Sequence, residues 1–206
     1  MKIAIINSVP YGSTGKIAYE IANTAADEGD GVEIFYGYSG HPLDEIKNGN
    51  SVIGGKNGKA IHMLLSDMTG LIGCFSFFYT LKILRKLKKF QPDIIHLHNL
   101  HGWYINLPLL FKYIKRHNIK TVWTLHDCWA FTGHCPYFDM IGCDKWKTGC
   151  YGCPQYKEYP KSLFDNSKYM YRLKKKWFTG VENITIVTPS EWLAGLVKES
   201  YLKDYP

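Results

Sequence analysis

Five runs of Ile, Val, Leu and aromatic residues, at 2–6, 32–36, 93–97, 121–125 and 183–187, set the narrowest limit on how this chain can fold. Four of the five lack the alternation of a half-exposed strand, and near-continuous apolar runs suit parallel strands covered on both faces. Between them, apolar residues recur at helical spacing: Ile17, Ala18, Ile21, Ala22 and Ala25 over 15–27, and Leu109, Leu110, Tyr113 and Ile114 over 106–117. Strand and helix therefore alternate. The pattern predicts an α/β domain on a doubly wound, Rossmann-like parallel sheet, and 206 residues suffice to bury a sizeable core within it.

In such sheets ligands bind beyond the carboxyl ends of the strands. The residues expected there are "VPYGSTGK" (9–16), Tyr38-Ser39-Gly40-His41, His98-Asn99-Leu100-His101-Gly102, His126-Asp127 and Thr188-Pro189-Ser190-Glu191. Histidine, serine, glycine and carboxylate recur at this edge, as a cleft for a polar, phosphate-bearing ligand requires. The first segment has the placement of a phosphate cradle, where free helix N–H groups and the helix dipole favour an anion. It has neither familiar spelling: Ile17 stands where a Walker loop needs Ser or Thr, and G-x-G-x-x-G is absent.

His96 and His98 lie two apart on one strand and so share a face. A metal-ligand reading wants a third oriented partner; the plainer reading makes His96 a core histidine satisfied by backbone and puts Asn99 and His101 at the ligand edge. His126 and Asp127 end a buried strand at that edge. There an imidazole and a carboxylate can bind hydroxyls, take protons or meet phosphate charge, whereas the structural alternative is an Asx turn at Asp127.

Two stretches break the alternation. Residues 37–58 are rich in Gly, Asn, Lys and Asp and read as a long surface loop. Residues 128–160 form an insertion of Cys, Gly, Pro and aromatics without helical or strand period. Within it Cys135, Cys143, Cys150 and Cys153 follow C-x7-C-x6-C-x2-C, with Cys74 and Cys128 left over. The final C-x-x-C resembles a zinc knuckle, and two readings stand: a structural zinc site, or thiols that are reduced or partly disulfide-bonded. Cys128, next to Trp129, reads as core.

The formal charge of +7 fits anionic partners. Met1-Lys2 leads straight into a strand, so no signal peptide is read and a cytoplasmic location is expected. The charge-free stretch 68–81 is shorter than the roughly 20 residues of a membrane helix and reads as buried or interfacial.

"MKIAIINSVPYGSTGKIAYEIA", "PDIIHLHNLHGWYIN", "TLHDCWAFTGHCPYFDMIGCDKWKTGCYGCPQYKEYP" and "TPSEWLAG" together resemble the N-terminal half of a retaining family 4 glycosyltransferase, of the kind found in bacterial capsule and colanic-acid synthesis. The resemblance spans nearly the whole chain. It implies residues 1–206 as the acceptor-side half of a GT-B fold, with the donor-binding domain lying outside this sequence, and hence weak nucleotide affinity and little turnover in this half alone. It implies a nucleotide-sugar donor, a glycan or lipid-linked acceptor, and no catalytic metal. Gly12, Ser13, Thr14, Gly15 and Lys16 then border the donor diphosphate and the acceptor. His126 and Asp127 lie near the transferred sugar, Asn99 and His101 line the substrate edge, and Ser190 and Glu191 match the segment after the last strand. The cysteine insertion is expected to brace an acceptor-side flap.

Two basic amphipathic segments, 81–91 and 167–178, beside Phe75, Phe77 and Phe78, fit either a solvated helix with one packed stripe or peripheral contact with the inner membrane. The competing function is a zinc-containing nucleic-acid-binding module. Its basic residues are scattered and no recognition motif is present, so nucleic acid is not the expected partner. A nicotinamide oxidoreductase lacks its glycine fingerprint, and Tyr36-Gly37-Tyr38 stands where a ribose-binding acid belongs.

Overall fold

A computed structural model describes residues 1–38, 50–52 and 54–206. Its centre is a six-stranded, all-parallel sheet in the order β3-β2-β1-β4-β5-β6. The strands are β1 (Lys2–Asn7), β2 (Gly31–Tyr36), β3 (Asn50–Val52), β4 (Ile94–Leu97), β5 (Lys120–Thr124) and β6 (Ile184–Val187). Between and after them run α1 (Gly12–Asp27), α2 (Lys56–Thr69), α3 (Phe77–Phe90), α4 (Leu107–His117), α5 (Ser167–Phe178) and α6 (Glu191–Glu199).

Side chains alternate across the sheet, as strand geometry demands. Ile5, Val32, Ile34 and Tyr36 pack under α1 with Ala18 and Ala22. Ala4, Ile6, Phe35, Ile95 and Leu97 face the larger core, which Ile83, Leu87, Leu110, Phe111, Ile114 and Phe178 close from the other side. Apolar burial on both faces explains the near-continuous runs in the sequence.

Three expectations need correction. The stretch 37–58 is not all loop. Asn50–Val52 pairs with β2 as an edge strand, and α2 begins at Lys56. A three-residue edge strand spelled Asn-Ser-Val carries no apolar run to announce it. The first helix starts at Gly12 rather than Gly15, so Gly12 to Lys16 are its opening turn and not a free loop. Segment 167–178 is helical throughout, but its packed stripe is not purely apolar, because Lys174 lies in it at 0% exposed. Ser39, Gly40 and His41, expected at the ligand edge, lie outside the described residues.

The insertion contains three short 3-10 turns, Trp129–Phe131, Asp139–Ile141 and Lys145–Lys147. It is no detached flap. Trp129, Phe131, Phe138 and Trp146 are buried in the main core, and Cys128 with them.

Candidate functional site

The strand order reverses between β1 and β4, since their chain continuations leave in opposite directions. That switch point opens a crevice beyond the carboxyl ends of the two strands, the usual ligand position in open α/β sheets. A cavity of about 550 Å³ lies there. Ser8 and Val9 enter it from the end of β1, Gly12, Ser13 and Thr14 from the start of α1, Asn99 and His101 from beyond β4, and His126 and Asp127 from beyond β5.

Helix α1 offers that cavity an open N-terminus. Tyr11, its N-cap, makes no side-chain capping bond, and the first turn carries no acid. Gly12 has φ +70°, a conformation natural to glycine. Gly15 and Lys16, expected at the same edge, lie off the cavity wall. Gly15 packs on the preceding turn, where a Cβ would stand 2.5 Å from the Pro10 carbonyl carbon. Lys16 points to solvent, 3.8 Å from Glu20. Ser190 accepts from Leu193 N–H and caps α6, and exposed Glu191 begins that helix; of this segment only Pro189 reaches the wall.

Four histidines and one carboxylate form a connected row. His96 Nε2 lies 2.8 Å from Thr124 Oγ1, so a hydroxyl and not the backbone satisfies it. His98 Nδ1 stands 3.1 Å from His126 Nε2, the two rings stacked. His98 Nε2 is buried without a partner. A bare ring nitrogen is cheaper to bury than an unpaired N–H, so His98 donates through Nδ1, and His126 carries its own proton on Nδ1. The donor of His126 is then Nδ1–H, on a residue that lines the cavity. Burial lowers His96 to about 4 and His98 to about 2, and it lowers His126 against the pull of Asp127. All three are neutral near pH 7.

Asp127 is held from two sides. His101 Nε2 donates to Oδ2 at 2.9 Å, and Trp129 N–H donates to Oδ1 at 2.9 Å. The latter is the Asx-type bond expected of a turn carboxylate. Structural and site roles thus coexist in one side chain. Burial raises the Asp127 pKa, but the His101 bond and charge, the Trp129 amide and nearby Lys174 outweigh it, so the carboxyl sits below its ordinary range. Asn99 Oδ1 in turn accepts from His101 N–H at 3.2 Å.

Several wall residues escaped the sequence reading. Tyr137 and Tyr159 come from the insertion, Trp103 from the loop after β4, and Lys59 from α2. Only the density of aromatics in the insertion hinted at the tyrosines, and nothing in the periodicity pointed to Lys59.

Cys135, Cys143, Cys150 and Cys153 also converge, on a separate small cavity of about 20 Å³. Among the described residues, no three Cys, His, Asp or Glu side chains stand closed together as metal ligands.

A polar crevice at the switch point of an α/β sheet, with the start of α1, His126 and Asp127 on its wall, is where open α/β domains bind their ligands. The chain belongs to Glycosyltransferase Family 4, whose model matches residues 14–201. It is 32% identical over 117 residues to "Putative colanic acid biosynthesis glycosyl transferase WcaC" of Escherichia coli (strain K12), a match covering 53% of this chain and 28% of that protein. The match therefore spans less than a third of that relative. Among solved structures, the glycosyltransferase VinC in complex with dTDP aligns over 100% of this chain and 44% of its own, at 10% identity and a TM-score of 0.40. The dTDP-glucose 4,6-dehydratase of Bacillus anthracis with NAD aligns over 91% and 54%, at 11% identity and 0.42.

Proposed function

We propose that this chain is the acceptor-side domain of a retaining glycosyltransferase, which moves a sugar from a nucleotide-sugar donor to a growing polysaccharide or a lipid-linked glycan. The observation that carries the reading is the switch-point crevice, whose wall holds Gly12, Ser13 and Thr14 together with His126 and the His101–Asp127 pair. Uncapped amides at a helix start stabilise the charge growing on a departing diphosphate. His126, neutral and donating through Nδ1, hydrogen-bonds the transferred sugar. Asp127 fixes His101, and with Asn99 the pair orients acceptor hydroxyls. Tyr137, Tyr159 and Trp103 give the sugar rings apolar faces.

A lipid-linked acceptor also requires a way onto a bilayer. Among the described residues no helix is long and apolar enough to cross a membrane. Instead α2 exposes Ile61, Leu64 and Met68, and the start of α3, tied to α2 through His62 and Ser76, exposes Phe77 and Phe78. Lys59, on the same α2, reaches the crevice wall. We place peripheral membrane contact on this face, which brings the acceptor's lipid end next to the site.

The reading is tested by titrating the chain with UDP-, GDP- and dTDP-sugars and with NAD, followed by NMR or calorimetry. Weak binding of one nucleotide-sugar class, weakened further by His126→Ala, is expected. Binding of NAD alone, or steeply salt-dependent binding of DNA or RNA with no nucleotide-sugar effect, overturns it.

A further inference from the structure

The insertion has almost no regular secondary structure between residues 132 and 166, yet it delivers Tyr137 and Tyr159 to fixed places on the crevice wall. An irregular segment of this length needs a staple. Cys135, Cys143, Cys150 and Cys153, drawn from three separate turns, line one cavity of about 20 Å³ together with His134. Gly133 N–H donates to Cys150 Sγ at 3.0 Å. Amide-to-sulfur bonds of this kind favour a thiolate sulfur.

Two further features mark the same place. His134 is buried, and its Nε2 has no partner. A bare imidazole nitrogen on the wall of a thiol-lined cavity is a metal donor's geometry, with the other ring nitrogen free to be oriented by the backbone. Lys174 is wholly buried, and among the described residues no carboxylate lies within 4 Å of its ammonium. Its Nζ donates to Trp129 O at 2.6 Å and Thr132 O at 3.1 Å and lies over the Trp129 ring. Buried charges are compensated in folded proteins. The peptide unit that accepts from Lys174 through Thr132 O is the one whose Gly133 N–H meets Cys150 Sγ. One peptide thus joins a buried cation to a cysteine sulfur, and an anionic cluster there would compensate Lys174 together with the Asp127 carboxylate.

We infer that this cavity is a structural zinc site, with Cys135, Cys150 and Cys153 as thiolate ligands and the fourth position taken by Cys143 or by His134. Each ligating thiol gives its proton to solvent on binding, and the metal–thiolate set carries net negative charge beside Lys174. The thiols surround the cavity without being closed on a common point, so the ion draws them in by side-chain rotation. A four-coordinate closed site with sulfur ligands suits zinc above the harder divalent ions. The site would tie the two halves of the insertion to each other and, through the Lys174 contact, to α5.

The test begins with the wild-type chain purified without chelator or affinity metal. Elemental analysis should find about one zinc per chain, released by a thiol-modifying reagent. Replacement by cobalt should give thiolate-to-cobalt charge-transfer bands and the visible bands of a tetrahedral site. Cys143→Ser and His134→Ala decide the fourth ligand: the one that ligates loses stoichiometric metal and changes the cobalt spectrum, while the other leaves both intact. Wild-type protein that is metal-free, takes up no cobalt and keeps its melting temperature in EDTA overturns the inference. So does a non-reducing peptide map showing a Cys135–Cys153 disulfide. Because spectrum and stoichiometry are read on the wild type, a variant that fails to fold does not blunt the test. Nucleotide-sugar binding enters none of these readouts, so the site and the glycosyl-transfer reading fail separately.

Discussion

Asp127 does two jobs with one carboxylate, and substitutions can separate them. Asp127→Asn keeps an oxygen for Trp129 N–H but removes the charge that holds His101. Its fold should survive, while under the proposed function sugar transfer, assayed with a donor-binding domain present, falls by about two orders of magnitude or more, the usual scale for a group that orients proton-transferring or charge-stabilising partners. Asp127→Ala strips both partners and should also lose roughly 1–3 kcal/mol of stability, the cost of leaving buried donors unpaired. Urea unfolding beside a radiolabelled-sugar transfer assay reads both; equal activity in Asp127→Asn and wild type would remove Asp127 from the site. Gly15 behaves differently. A Cβ there meets the backbone of Val9 and Pro10, which cannot swing aside like a long side chain. Gly15→Ala should cost roughly 1–3 kcal/mol by overpacking, and the urea midpoint should drop although Gly15 is not on the crevice wall. Sequence alone grouped Gly12 and Gly15 in one anion-binding loop. The structure separates a glycine at the wall from one that lets the chain pass close to itself, a distinction set by tertiary contact and invisible to spacing.

Helix α2 shows where sequence periodicity stops being a guide. It buries His62 and Ser66 and exposes Ile61, Met63, Leu64 and Met68. Its apolar stripe points away from the core, so a rule that turns apolar residues inward could not find it. The buried polar side is held by specific bonds, with His62 Nδ1 2.6 Å from Ser76 Oγ and the His62 ring edge-on to Phe75. By contrast α4 places Leu107, Leu110, Phe111 and Ile114 inward, with Asn106 capping it and basic residues in its last turn, and it was legible. An inverted stripe is what a helix that meets a membrane requires. Changing Ile61, Leu64 and Met68 together to Gln should therefore leave the melting temperature within a few degrees of wild type and abolish flotation with anionic vesicles at low salt. Undiminished flotation of the triple variant would clear α2 of that role and leave the basic face of α3 to be tested.

At the scale of the whole molecule, five of the six strands, their parallel direction and the crevice beyond their carboxyl ends were legible, because each follows from apolar runs and chain order. The insertion's part in the core was not: Trp129, Phe131, Phe138 and Trp146 reach it from a segment with no period to read. Nor could spacing reveal how many histidines are buried in the neutral state, and this has a global consequence. Burial depresses His62 and His96 to about 4 and His98, flanked by His96 and His126, to about 2. In the unfolded chain each titrates near 6.5. Below that value the unfolded state binds protons that the folded state refuses, so the contribution is complete above about pH 6.5 and is lost as pH falls through the folded values. Asp127, depressed as a carboxylate, adds its loss only below the ordinary Asp range. Each histidine contributes at most about 1.4 kcal/mol per pH unit to the slope. Thermal melts should accordingly fall steadily from pH 7 to pH 5, before any carboxylate titrates. His62→Gln, which keeps a polar partner for Ser76 but cannot take up a proton, should fall less steeply over the same range. A melting temperature that stays level from pH 7 to pH 5 would mean that these imidazoles reach solvent in the folded protein.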